Sequence, residues 1–267
     1  MKLIKLTIFL FISVILFSGC LKVNSNVIIN KDGSGILEEQ VLMSDMVISM
    51  MNEFMSSFQD STSAPEEFKL FKEDELKAKS SEYGEGVKYV SGEEIKIDGW
   101  RGYKAIYSFE DLNKIKMETD PNTKVENPQD DEQATEYFSF KFIPGDIAEL
   151  IIDRPDLSSE KKDEEISVET GTENQELDDN LIKMMDGMTM TISLEFNGEI
   201  VETNASYVDD SKVTMLDIDF SEILKNKESL ELFKKNPPDN LDEMKAIVEN
   251  IPGMKVEFKK PVIVKFK

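Results

Sequence analysis

The run from Leu21 to Leu42, LKVNSNVIINKDGSGILEEQVL, decides how the rest of the chain is read. Two largely apolar stretches, 21–30 and 35–42, flank Asp32-Gly33-Ser34-Gly35. Glycine supplies positive φ there at little cost, so the run predicts a β-hairpin. A calcium loop is the competing reading of Asn30-Lys31-Asp32-Gly33-Ser34-Gly35, with Asn30, Asp32 and Ser34 as ligands. It fails on chemistry, because the twelfth position needs a bidentate glutamate and holds Val41, and because the flanks read as strands.

Downstream of the hairpin, Ser44 and Asp45 can cap a helix to about Phe58, with Met43, Val47, Met50, Met51, Phe54, Met55 and Phe58 on one face. A more polar helix is predicted over 65–81. Strands are predicted at 87–97 and 101–109, joined through Asp98-Gly99-Trp100-Arg101-Gly102, and at 137–143 and 147–153, parted by Pro144-Gly145. A short helix at 177–186 precedes strands at 188–196 and 199–204, turned at Asn197-Gly198, and a strand at 212–219. Helices near 221–235 and 239–250 and a last strand over 254–266 follow. Pro261 would place that strand at an edge or on a bulge. Strands joined by tight turns, with helices grouped rather than alternating, predict an α+β fold: an antiparallel sheet of hairpins with helices packed in blocks on one face.

Two stretches carry too little apolar surface to offset chain entropy and read as mobile acidic loops. Residues 118–136 hold seven Asp or Glu against one lysine, and 156–179 hold ten against two.

Upstream, Lys2 and Lys5 precede an apolar segment from Leu6 to Phe17, which Leu16-Phe17-Ser18-Gly19-Cys20 closes. A positive region, a short apolar segment and small residues before a boundary describe an export signal over 1–19, too short to span a bilayer comfortably. The closing residues resemble the lipobox of bacterial lipoproteins, with Phe17 where that family usually has leucine. The resemblance implies that Cys20 is acylated on sulfur, with palmitate-type chains, and becomes the mature N-terminus. It places residues 20–267 as one extracytoplasmic domain on the cell membrane or outer membrane. The stretch ISLEFNGEIVETNASYVDDSKVTMLDIDF (192–220), with Cys20 and its following hairpin, is similar to envelope lipoproteins of the LppM-like kind. That resemblance implies an α+β envelope domain and carries over no catalytic residue.

Composition narrows function. Formal charge is −23, and loss of residues 1–19, which hold two lysines and no acid, makes it −25. Such a chain is no partner for nucleic acid and is repelled by anionic lipid, so the anchor must supply membrane affinity. Cys20 is the only cysteine, leaving none for an internal disulfide. Histidine is absent, which removes the commonest general base and zinc ligand.

The remaining candidates are weaker. Methionine is clustered, five of fourteen residues lying in 43–55 and four in 184–190. These are core faces, an adaptable hydrophobic groove formed by Met43, Met50, Met51, Phe54, Met55 and Phe58, or soft Cu(I) ligands; core packing already explains their spacing. Trp100, the only tryptophan, is either an exposed contact or a lid on the core. Asp217 and Asp219 share a strand face as acids do in acid–base pairs, but acids are abundant here. Ser158 and Lys161 match a serine–lysine spacing inside an acidic loop, without a helix to hold them. The reading is a lipid-anchored, non-enzymatic envelope module without cofactor or metal, whose partner is the membrane plus an envelope protein or apolar ligand. The alternatives are a carboxylate-based hydrolase such as a glycosidase and a carrier of hydrophobic ligands.

Overall fold

The computed structural model describes residues 21–58, 68–119, 137–154, 187–226 and 241–267. In β1 (Leu21–Ile29) and β2 (Gly35–Ser44) the odd-numbered residues are buried, and antiparallel pairing from Leu21·Met43 to Ile29·Gly35 puts them on one face. The predicted hairpin is present. β3 (Lys88–Ile97) and β4 (Trp100–Phe109) form a second hairpin, and β4 pairs with β2. Its turn is Asp98-Gly99 alone, both at positive φ, 44° and 80°. Two such residues make the type I′ turn whose twist matches the flanking strands. Trp100 is therefore the first residue of a strand rather than a loop tip.

Beyond β1 lie β8 (Thr189–Phe196), then β11 (Lys212–Asp219), with β10 (Val208–Asp209) and β12 (Met254–Val256) paired to β11. β8 runs parallel to β1. Asn26 stands opposite Ser193 across that pair, accepting from its hydroxyl at 2.8 Å while donating to Glu195 at 3.1 Å. The second sheet, antiparallel throughout, has the order β5-β6-β7-β13-β9, from β5 (Met117–Glu118), β6 (Tyr137–Ile143), β7 (Ala148–Asp153), β9 (Ile200–Thr203) and β13 (Val262–Phe266).

The two sheets bury their apolar faces in one core. Phe266 of the second sheet packs against Phe196 of the first, ring centroids 4.8 Å apart, with the Phe142 ring 6.3 Å from it. The helices are short: α1 (Asp45–Phe58), α2 (Glu73–Lys79), α3 (Phe220–Lys225) and α4 (Leu241–Val248). The expected α+β fold is thus corrected to a mostly β architecture of two facing sheets. α1 and α2 fill in where the second sheet does not reach, sending Val47, Ile48 and Leu76 into the same core.

Three smaller corrections explain that difference. Asn197-Gly198 does not turn a hairpin: β8 belongs to the first sheet and β9 to the second, so the chain crosses the core there. Residues 254–266 are likewise two strands in different sheets; β13 lies between β7 and β9 rather than at an edge, and its register on β9 shifts between Lys265 and Phe266, in line with the expected bulge. The crossing is built around Glu257, whose carboxylate accepts from the Ser206 backbone and hydroxyl and from Lys259 N. Arg154 donates to the carbonyls of Glu257 and Phe258. Finally, residues 68–72 are not helical, so the predicted helix over 65–81 shrinks to α2. The predicted signal segment, most of the predicted acidic loops, the helix at 177–186 and residues 227–240 lie outside the described residues.

Candidate functional site: a buried carboxylate and an adjoining cleft

Strand alternation that buries Leu37, Val41 and Met43 also buries Glu39, which is 1% exposed. Its neighbours in register are Ser25 on β1 and Ala105 on β4, small enough to leave room above the sheet. Into that room come Tyr103 from β4, Lys79 from the end of α2, and Tyr83 from the loop that follows. Tyr103 Oη donates to the Glu39 carboxylate at 2.7 Å and Lys79 Nζ at 3.2 Å; Tyr83 Oη donates over a shorter distance. Tyr107 stacks beside Tyr83 at 4.8 Å and donates to the Leu76 carbonyl, and Tyr89 meets Tyr107 edge-on at 5.9 Å. Tyr83 and Tyr103 thus bond the carboxylate directly, and Tyr107 and Tyr89 extend the aromatic cluster away from it. A buried carboxylate is tolerated only when paired and hydrogen-bonded, which this one is. Burial, and then the negative charge of Glu39, push the hydroxyls of Tyr83, Tyr103 and Tyr107 above the ordinary tyrosine range. The network ties α2 and its following loop to the sheet.

Next to the tyrosines is a cleft of about 310 Å³ between α1, residues 68–71 and the β3–β4 hairpin. The Phe71 ring and the Tyr89 hydroxyl both lie against Gly92, which links the cleft to the tyrosine cluster. Ile48, Phe68, Leu70 and Phe71 supply apolar lining, and Lys69, Lys96 and Arg101 supply positive charge. Asn52 of α1 holds the 68–71 segment in place by accepting from Phe68 N at 2.7 Å. Glu94 is the one carboxylate among the described lining residues and pairs with Lys96 at 3.1 Å, so these residues include no facing pair of acids of the kind a glycosidase uses.

The predicted site residues fall apart in space. Met43 is in β2 and buried in the core. In α1, Val47 and Ile48 are buried and Met51 packs half-buried against the core, while Met46 and Met50 are 52% and 42% exposed. Met55 is half-buried; the side chains of Phe54 and Phe58 lie outside the described residues. No methionine is among the described residues that line the cleft. Trp100 is half-buried, with the Lys22 ammonium 4.1 Å above its ring and Gly187 against its edge. Asp219 caps α3 through Ser221 N and Glu222 N, and Asp217 meets Lys255 at 3.4 Å. Cys20, Ser158 and Lys161 lie outside the described residues. Sequence reasoning missed Glu39, although an acid in the apolar register of a strand was the available signal. Among the described residues no group of three or more acids is gathered as a metal site, and no helix is long and apolar enough to cross a membrane.

No protein-family model and no curated protein matches the chain. Among solved structures, the NMR structure of the folded domain of the Mycobacterium tuberculosis LppM protein aligns over 93% of this chain and 90% of that one. The TM-score is 0.34 and the identity 12%, a likeness that shows neither a shared fold nor a shared function.

Proposed function

We propose that this protein is a lipid-anchored, extracytoplasmic binding module that holds an amphiphilic, anionic ligand in the cleft between α1 and the β3–β4 hairpin. The cleft carries the reading: apolar side chains from Ile48, Phe68, Leu70 and Phe71 with Lys69, Lys96 and Arg101 around them suit an acyl chain bearing an acidic head. The anchor rests on Leu16-Phe17-Ser18-Gly19-Cys20, the run that resembles a lipobox. The activity is binding rather than turnover, in keeping with a chain that lacks histidine and a cleft whose described lining has a single, ion-paired acid.

Titrating a purified chain that starts at Cys20 with a fluorescent fatty acid tests the ligand. Saturable binding that Leu70→Gln and Lys96→Glu each weaken is expected. Absence of saturation, or binding indifferent to both substitutions, would rule out the cleft. The anchor is tested in cells by metabolic labelling with a clickable fatty acid, where Cys20→Ser is expected to abolish label because serine offers no thiol. Equal label in both would show that the lipobox reading is wrong.

A further inference from the structure

Leu21, one peptide bond from Cys20, is already the first residue of β1, 5% exposed and paired with Met43. One residue separates the two Cα atoms by about 3.8 Å, so a lipid on Cys20 has no linker on which the domain could swing. Whatever surrounds the start of β1 stands where the acyl chains enter the bilayer. The register of the sheet says which residues these are. Met43 pairs with Leu21 and Arg101, Ser44 with Trp100, and Trp100 with Ile97. α1 begins at the same end, its Asp45 N donating to the Gly99 carbonyl at 2.7 Å.

That end carries Ile97 and Met46, each more than half exposed, and Met50, at 42%. Beside them Lys22 lies over Trp100. Tryptophan with a cation on it is the combination that settles at the level of lipid headgroups, apolar body inward and charge in water. Among the described residues nearest Trp100, Lys22, Lys96 and Arg101 offset Asp45, Glu94 and Asp98, with Asp219 farther along the same sheet end, in a chain whose charge after loss of residues 1–19 is −25. Of a molecule that anionic lipid repels, this is a face that can approach it.

We infer that, given the lipid anchor on Cys20, the sheet end formed by Leu21, Met46, Met50, Ile97 and Trp100 rests directly on the membrane, fixing the domain's orientation and bringing the cleft, which Arg101 and Lys96 border, to the headgroup level. The occupant of this exposed apolar end is the bilayer itself.

Trp100, as the only tryptophan, reports the contact, and Cys20, as the only cysteine, lets the tether be made chemically. All described contacts lie within 21–267, so a chain starting at Cys20 retains them. It is coupled through Cys20 to a maleimide-bearing phospholipid in vesicles of phosphatidylethanolamine and phosphatidylglycerol. Some of the lipid is brominated near the headgroup end of the acyl chain. Trp100 emission is expected to be quenched, and the combined Met46→Gln, Met50→Gln, Ile97→Thr variant to lose at least half of that quenching at unchanged thermal midpoint. These three side chains are exposed, so the variant keeps its fold. Unquenched Trp100, or equal quenching in the variant, would overturn the inference. Because coupling is chemical, neither result depends on acylation in the cell, which the fatty-acid label decides separately.

Discussion

At the scale of single residues, Glu39 shows how far one side chain can organise a fold. It was legible as an anomaly, an acid between Leu37 and Val41 in a strand whose other inward positions are apolar. Its partners were not, because Lys79 and Tyr83 arrive from some 40 residues downstream and nothing local announces them. Glu39→Ala would remove the carboxylate that accepts from the buried Tyr83 and Tyr103 hydroxyls and from the half-buried Lys79, and is expected to cost about 3–5 kcal/mol in urea unfolding. Glu39→Gln keeps an acceptor and should cost clearly less; equal losses would mean that packing, not hydrogen bonding, is what Glu39 provides. The tyrosines give a pH signature. Their folded values lie above the unfolded value near 10, so the unfolded chain sheds phenolic protons first as pH rises. Stability from this cluster is complete below pH 10 and falls above it, toward the folded values. Absorbance of tyrosinate should show Tyr83, Tyr103 and Tyr107 ionising only together with loss of the fold. Early ionisation of all six tyrosines would contradict the network.

Elements were legible wherever their partners are near in sequence. The β1–β2 and β3–β4 hairpins, the β6–β7 pair and the whole of α1 follow from alternation, turn residues and capping within a short window. What failed was partnership at a distance. Asn197-Gly198 has hairpin chemistry, yet Phe196 N donates to Ser211 O and Glu199 N to Lys267 O, bonds that lead into different sheets. Gly198 is needed for another reason: a Cβ there would overlap the Lys267 carbonyl. The cleft was illegible because Phe68, Leu70 and Phe71 read as part of a helix and instead pass over the sheet unwound. Periodicity alone also could not rank the methionines of α1. The observed register predicts that Ile48→Ala costs about 2–5 kcal/mol, as for a buried core residue, while Met50→Ala stays within about 0.5 kcal/mol. Denaturant midpoints of the two variants check this, and similar losses would place Met50 inward.

For the whole molecule, the joining of two sheets by strands that cross between them makes distant parts of the chain depend on each other. β13, the last element, fills the space between β7 and β9, and Phe266 is buried against Phe196 of the other sheet. Removing residues 262–267 would expose two strand edges and unseat the shared core, so far-ultraviolet circular dichroism should show no cooperative melting. A sharp transition near that of the full chain would mean that the first sheet is stable alone. β1, at the other extreme, needs β8, some 160 residues later, as its parallel neighbour. Pairings this remote form slowly, since the intervening chain must be closed into a loop before they contribute. A ribosome makes β1 long before β8 and β13, and neither sheet can be finished until β12 and β13 have emerged. The early hairpins therefore wait, while later strands are still being made, with their inward apolar faces uncovered.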